Sequence, residues 1–292
     1  PCGKNPARAS RAWRANGDNA RMKLWYQSMS RQKAWGSYNK ALRTILDQVK
    51  DAGTEIEVHG ITRIGGLADQ YRYLEYLENG EVMENVQTAV KRGFDAFLIG
   101  NIGDPGIREC REIANIPVLG LCETALHLAC MMGANFSLVT INEKFTPRIV
   151  ENVTRYRLEN RLAAVNRMQF DRINDLDAAF TDRKVRERII RQFRKAADAN
   201  VEQGAEVVIP AGGAVMALLA AAGVHEASRG TPILNGITAL VKMGEMAVKL
   251  DRIMGGRFTS KRLAYAPPGR DQIDEIRKYY GDVYPTVKGK RK

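Results

Sequence analysis

Short apolar runs alternate along the chain with longer segments of helical period. KLWYQSM (Lys23–Met29), EIEVHGI (Glu55–Ile61) and FSLVTI (Phe136–Ile141) have the length and the β-branched or aromatic content of strands. Strands that alternate with helices are typical of parallel sheets covered on both faces. The pattern therefore predicts an α/β fold.

One part of this pattern occurs twice. Gly93–Asn101 (GFDAFLIGN) and Gly204–Gly212 (GAEVVIPAG) each contain a Gly, two residues that include an acid, an apolar run and a turn. Each is followed by a short helical stretch and a predicted strand with a shared signature, PVLGLCETAL (Pro117–Leu126) and PILNGITAL (Pro232–Leu240). The repeat indicates two similar lobes that hold a ligand between two strand-to-helix turns.

The remaining segments extend this organisation. Further strands are expected at 96–101, 117–122, 163–167, 206–209 and 232–235, and helices at 35–49, 80–92, 106–114, 124–132, 147–161, 182–203, 214–222 and 238–253. The Tyr-rich stretch after Gly66 is interpreted as a loop beside the active site, and the tail after Phe258 as irregular. We expect residues 22–119 with 235–258 to form the first lobe and 120–234 the second, between a disordered basic extension at 1–21 and a basic tail at 259–292.

Composition adds limits on partners and location. The chain has 292 residues and a net charge of +12, but most of the excess lies in residues 1–21 and in the last five residues, so nucleic-acid binding is not expected. No apolar run approaches the roughly 20 residues that cross a bilayer, which predicts a soluble cytoplasmic protein without membrane contact. The four cysteines form no CxxC pair, so reduced thiols and no metal are expected. A homo-oligomer is expected as well.

Candidate functional residues follow from the strand ends. In parallel α/β sheets, ligands bind beyond the carboxyl ends of the strands. The residues at these ends are Gln27, Ser28, His59, Asn101, Ile102, Gly103, Asp104, Cys122, Glu123, Thr140, Gly212 and Gly213.

Both glycine-containing turns offer backbone amides. GNIGDPG (Gly100–Gly106) and Gly212–Gly213–Ala214 each precede a predicted helix, and two helix N-termini that face one cleft would bind a carboxylate. The alternative is that both are only tight turns. Their repetition favours the ligand hypothesis.

The polar side chains each allow two interpretations. His59 either relays protons or forms a hydrogen bond at its strand end, and Glu123 is either a base or a charge that opens a helix. Cys122 is either a thiolate favoured by a helix N-terminus or a core residue. Asp104 either caps the helix that follows it or faces the cleft, and Thr140 either binds a ligand carboxylate or caps the next helix. His127 is expected to be partly buried, and His225 to lie at the surface.

These residues resemble the aspartate/glutamate racemase superfamily, in its hydantoin-racemase-like branch. The resemblance runs from about Met22 to Ile253, through GNIGDPG with PVLGLCETALHLA, FSLVT and GAEVVIPAGG. It implies two flavodoxin-like lobes related by a pseudo-twofold axis, an active site in the cleft between them and no metal or organic cofactor. It also implies a small carboxylate or cyclic ureide substrate, whose proton moves at the carbon next to a carbonyl.

The chain departs from the family at the two positions that the resemblance makes catalytic. Family racemases carry a cysteine at each turn, and here Asn101 and Gly212 stand instead. We therefore expect a cofactor-independent racemase, isomerase or lyase without the two-cysteine mechanism. Its proton donor would be His59, Glu123 or Cys122, and Asn101 would donate a hydrogen bond to the oxyanion. Substrate contacts are expected from Ser28, Ile102, Gly103, Asp104, Thr140, Gly212 and Gly213.

Two other function classes remain open. The first is a hydrolase of a small amide, ureide or ring carbonyl that uses a water held by Glu123 or His59. The second is a non-catalytic protein that binds a small molecule.

Overall fold

The computed structural model describes residues 21–31, 33–66, 71–170 and 173–284. Most of the predicted extension (1–20) and the end of the tail (285–292) lie outside the described residues. The strands are β1 (Met22–Gln27), β2 (Thr54–His59), β3 (Ala96–Ile99), β4 (Val118–Gly120), β5 (Phe136–Thr140), β6 (Leu162–Arg167) and β7 (Val208–Ala211). The helices are α1 (Gly36–Val49), α2 (Arg72–Lys91), α3 (Ile107–Ile113), α4 (Leu121–Met132), α5 (Thr146–Arg155), α6 (Arg183–Glu202), α7 (Gly213–Ala221), α8 (Gly236–Ile253) and α9 (Arg270–Tyr280).

The strands form two parallel sheets, which confirms the predicted α/β class. The first sheet has the order β2-β1-β3-β4 and the second has the order β6-β5-β7. Strands β3, β5 and β7 are buried along their whole length. Helices cover the sheets because these strands are apolar on both faces.

The sequence repeat corresponds to equivalent hydrogen bonds in the two sheets. Phe97 donates its backbone N–H to Pro117 O (2.9 Å), and Val208 at the equivalent position donates to Pro232 O (3.0 Å). The segment 232–235 is nevertheless not the strand that we expected. It pairs through isolated bridges, Val208 with Ile233 and Glu226 with Pro232.

The acid of each repeat has a structural role. Asp95 Oδ2 accepts a hydrogen bond from the backbone N–H of Lys23 (2.8 Å), at the start of β1. Glu206 Oε2 accepts one from the N–H of Ala134 (2.6 Å), just before β5. Each acid therefore joins the strand that follows it to a neighbouring strand, β1 in the first sheet and β5 in the second.

Several predicted boundaries were wrong, and three of them have a clear physical reason. Helix α2 begins at Arg72, inside the stretch expected to be a loop, because its buried positions include Glu75, Glu78 and Glu81 and the apolar period is weak there. β4 ends at Gly120, so the residues after it open α4 and do not extend the strand. The tail contains α9, whose only buried residue is Ile273 and whose pattern is therefore almost wholly polar.

Helix α8 returns the chain to the first sheet. A Cβ added at Gly244 would lie 2.8 Å from Leu98 Cδ2 in β3, so glycine permits close contact here. Glu245 in α8 accepts a hydrogen bond from the N–H of Asp51 (2.7 Å), just before β2. The assignment of 235–258 to the first lobe remains a prediction. Within the part of the chain that the structure describes, no helix combines the length and apolar character that spanning a membrane requires.

Candidate active site

A cavity lies where the turn after β3 meets the turn after β7. Asn101 and Gly212 both line it, although they are more than a hundred residues apart in the chain. A Cβ added at Gly213 would lie 3.8 Å from Gly100 O, which shows how closely the two turns approach. The described lining residues are Ser28, Met29, Ser30, Trp35, Tyr38, Gly66, Gly100, Asn101, Ile102, Ile141, Phe145, Ile173, Gly212, Gly213 and Ala214.

The first turn holds its shape through Asn101. The side-chain Oδ1 of Asn101 accepts a hydrogen bond from Gly103 N (2.7 Å), and its carbonyl accepts one from Asp104 N (3.0 Å). Helix α3 begins only at Ile107, after Gly106 in the left-handed region (φ 64°). The turn therefore leads into a helix as expected, but no residue of α3 lines the cavity, so this helix N-terminus does not face it as the second one does.

The second turn does lead directly into a helix. Gly212 is extended (φ −179°), α7 begins at Gly213, and no side chain caps this end. The first backbone N–H groups of a helix lack partners within it and carry a partial positive charge. Because Gly212, Gly213 and Ala214 all line the cavity, this helix start can stabilise a carbonyl oxygen or an anion there.

Two serines add polar groups to the cavity wall. Ser28 Oγ and Ser30 Oγ lie 2.7 Å apart, and Ser30 donates to Asn39 Oδ1 (3.0 Å). Ser28 Oγ also accepts the N–H of Ser30 (3.2 Å). These hydrogen bonds fix Ser28 beside the cavity, where its hydroxyl can bind the N–H or C=O of a ligand.

The comparisons with known proteins agree with this geometry. A profile described as "Asp/Glu/Hydantoin racemase" matches residues 37–244. The chain belongs to this family. Hydantoin racemase from Pseudomonas sp. (strain NS671) is 29% identical over 77% of this chain and 85% of its own length. The allantoin racemase structure from Klebsiella pneumoniae is 26% identical with a TM-score of 0.70, covering 85% of this chain and 94% of its own. The allantoin racemase structure from Pseudomonas fluorescens is also 26% identical, with a TM-score of 0.68, and the match covers 85% of this chain and 97% of its own.

Only part of the predicted site lines the cavity of this racemase-family chain. Asn101 does so, together with the predicted substrate-binding residues Ser28, Ile102, Gly212 and Gly213. Six predicted residues do not: His59, Gly103, Asp104, Cys122, Glu123 and Thr140.

The side chain of His59 points away from the cavity. β-Strand alternation places it on the same face as Glu57, which pairs with Trp25, and its ring stacks on that indole at 3.4 Å. Burial lowers the pKa of His59, while the hydrogen bond that its Nε2 forms to Glu57 Oε2 (3.2 Å) acts in the opposite direction. The strand-end rule locates the backbone of His59 correctly but does not give the face of its side chain.

Cys122 and Glu123 lie in the first turn of α4, and both are engaged elsewhere. Cys122 is fully buried, and burial followed by the neighbouring Asp104 raises the pKa of the thiol well above its usual value. The expected thiolate is therefore not favoured. Glu123 pairs with the guanidinium of Arg111, with Nη1 3.0 Å from Oε1 and a second contact through Nη2.

Asp104 caps a helix, but not the helix that follows it. Its carboxylate accepts the N–H groups of Cys122 (2.9 Å) and Glu123 (2.8 Å) at the start of α4, and the hydroxyl of Tyr156 (2.6 Å). Burial raises the pKa of Asp104 to about 7, although these three donors lower it. The carboxylate therefore fixes the turn after β3 against α4.

The other polar candidates also serve packing. Thr140 is fully buried, and its Oγ1 lies 2.5 Å from Thr146 Oγ1. Gly103 lies against the guanidinium of Arg148. His127 is exposed, contrary to expectation, and His225 is exposed as expected.

Sequence reasoning missed the contribution of the segment after β1. Ser30, Trp35 and Tyr38 line the cavity from this segment and from the first turn of α1. The rule that ligands bind beyond the strand ends includes the loop after every strand, so it could have indicated these residues. It was applied only to the last residues of β1.

Proposed function

We propose that this enzyme binds a cyclic ureide in the cavity and moves a proton at the carbon next to one of its carbonyls, without a cofactor. The observation that carries the proposal is the position of Asn101 and Gly212 on a single cavity that α7 enters with its N-terminus. Relatives named hydantoin racemase and allantoin racemase support the ureide class.

Each part of the cavity would contact a different part of such a ligand. Removal of the proton leaves negative charge on the carbonyl oxygen, and the amides of Gly213 and Ala214 would stabilise that charge. The side-chain amide of Asn101 would donate to the same oxygen or to the second carbonyl. Ser28 would bind a ring N–H. The apolar walls at Trp35 and Phe145 would exclude water around these contacts.

The proposal does not use a pair of thiols. By the resemblance, Asn101 and Gly212 stand where family racemases carry their catalytic cysteines, and neither residue can accept a proton from carbon. The contribution of these two positions would be hydrogen bonding and space. Proton transfer then depends on another residue of the cavity.

The direct test uses enantiopure allantoin and an enantiopure 5-substituted hydantoin. We expect loss of optical rotation, together with incorporation of deuterium from D2O at the carbon next to the carbonyl. Incubation in ¹⁸O-labelled water would instead yield a labelled ring-opened product if the enzyme were a hydrolase. Binding without exchange, racemisation or hydrolysis would identify a non-catalytic binding protein and contradict the proposal.

A variant of Asn101 tests the oxyanion contact without loss of the turn. N101D keeps the oxygen that accepts the N–H of Gly103 but replaces the amide donor with a carboxylate. We expect the rate to fall about 10²–10³-fold, the usual effect of removing one oxyanion donor. N115D, in an exposed turn, is the matched control and should retain the wild-type rate. Equal rates for the two variants would remove Asn101 from the site.

A further inference from the structure

Tyr38 lies in the cavity beside the start of α7. It is the third residue of α1, it is buried, and it lines the cavity. Its hydroxyl lies 3.2 Å from the position of a Cβ added at Gly213, the first residue of α7. The hydroxyl therefore lies beside the helix start to which we assign the carbonyl oxygen of the ligand.

The chemistry of the described lining residues singles out the same side chain. They include serine hydroxyls, an amide, a thioether, apolar groups and backbone, but no carboxylate, imidazole or thiol. Among them, Tyr38 carries the one side chain that ionises in the range of an ordinary acid or base.

The surroundings of Tyr38 both favour and oppose a phenolate. The N-termini of α1 and α7 favour an anion. Asp177, whose Oδ1 accepts the backbone N–H of Tyr38 (2.7 Å), opposes it. Burial, followed by the electrostatic effect of the nearby Tyr38, raises the pKa of Tyr26 of β1 well above its usual value, which keeps Tyr26 neutral. Trp35 and Phe180 pack on the ring of Tyr38 and fix its direction.

We propose that Tyr38 is the proton-transferring residue of this cavity. This inference rests on the proposed function. The phenolate oxygen takes the proton from the carbon next to the carbonyl, so a C–H bond breaks and an O–H bond forms. The electron pair passes into the enolate, whose oxygen lies at the start of α7. Return of the proton to the other face of the planar carbon gives the enantiomer, and return to the same face gives the starting molecule.

The chain supplies a matched pair of tyrosines for the test. Tyr26 lies under Gly100, outside the cavity lining, and its buried hydroxyl forms no hydrogen bond in the described structure. We expect Y38F to lose about 10²–10⁴-fold in deuterium exchange and racemisation of allantoin, the usual range for general acid–base catalysis. Binding of allantoin, measured by calorimetry, should change by less than about tenfold. Y26F should keep the wild-type rate.

The location of the deuterium gives a readout that a structural role would not change. A single base leaves deuterium in the remaining starting enantiomer as well as in the product, whereas two bases on opposite faces place it only in the product. Deuterium confined to the product, or a Y38F rate within threefold of wild type, would overturn the role of Tyr38 and leave the proposed function intact. A wild type that neither exchanges nor racemises overturns both.

A second variant covers misfolding of Y38F. If a phenolate is the base, the rate should rise with pH as residue 38 loses its proton. Replacement of Tyr38 by 3-fluorotyrosine, which is more acidic and nearly the same size, should move this rise to lower pH. An unchanged profile would exclude the phenolate.

Discussion

At the scale of single residues, Gly212 determines whether a thiol could be introduced at its turn. Its extended backbone accepts any residue, but a Cβ would lie 2.7 Å from Ile141 Cδ1. This clash is with the end of a flexible side chain. We expect G212C to lower the free energy of unfolding by about 1–2 kcal/mol through overpacking, and G212C/I141V to recover most of the loss in urea titrations.

Gly100 is the contrasting position for the same measurement. A Cβ there would lie 2.1 Å from Tyr26 Cε1, within a rigid and fully buried ring. G100A should therefore be more destabilising than G212C, although it adds a smaller side chain. If I141V did not improve the stability of G212C, the packing account of Gly212 would be wrong.

The buried carboxyl of Asp104 predicts a pH dependence of stability. Burial raises its pKa from 3.8 to about 7, so the folded protein binds this proton more tightly than the unfolded chain. The stability that Asp104 contributes is therefore full below about pH 4 and is lost as the pH rises to about 7. A shift of this size corresponds to at most about 4 kcal/mol.

D104N isolates this effect because it keeps an acceptor oxygen but cannot ionise. The difference in unfolding free energy between wild type and D104N should decrease from pH 4.5 to pH 7.5, measured by urea denaturation at each pH. A constant difference would mean that the three donors keep the carboxylate ionised throughout this range.

At the scale of elements, α2 fixes the loop after β2 through Glu81. Its carboxylate accepts the N–H (2.8 Å) and the hydroxyl (2.6 Å) of Thr62, and the N–H of Arg63 (3.1 Å). We expect E81A to cost about 2–3 kcal/mol, because it removes the charged acceptor of three hydrogen bonds. Glu84, one turn later, contacts only exposed Arg63 in the described structure, so E84A should cost less than about 1 kcal/mol. Equal losses in thermal or urea unfolding would contradict this role.

The elements also show which features the sequence could predict. The strands are apolar because both of their faces are covered, so β1, β3, β5 and β7 were located to within a few residues. The predicted α2 was too short because buried positions in its first half carry glutamates in place of apolar residues. The repeated glycine turns identified the cavity, since the position of backbone amides at a turn follows from the path of the chain and does not require the orientation of a side chain. The direction of the His59 side chain could not be predicted from the sequence, because the face on which a strand-end side chain lies depends on the register of the strand.

At the scale of the whole molecule, two ion pairs connect α2 of the first sheet with α5 of the second. Glu75 and Arg148 are buried, with side chains 11% and 9% exposed, and Arg148 Nε lies 2.5 Å from Oε2. Arg72 and Glu151 form a pair of similar length at the surface, with side chains 59% and 55% exposed. The two pairs therefore join the same helices in very different environments.

This difference predicts unequal effects of removing one carboxylate. E75Q removes the buried carboxylate that pairs with Arg148 and should cost about 3 kcal/mol or more. E151Q removes an exposed pair and should cost less than about 1 kcal/mol. Added salt should abolish the smaller effect but not the larger one, because screening acts mainly on exposed charges. Because Arg148 packs against Gly103, two residues from Asn101, E75Q should also reduce the rate on the ureide substrate. Similar losses of stability in both variants, with the same salt dependence, would show that burial of the first pair does not contribute to the contact between α2 and α5.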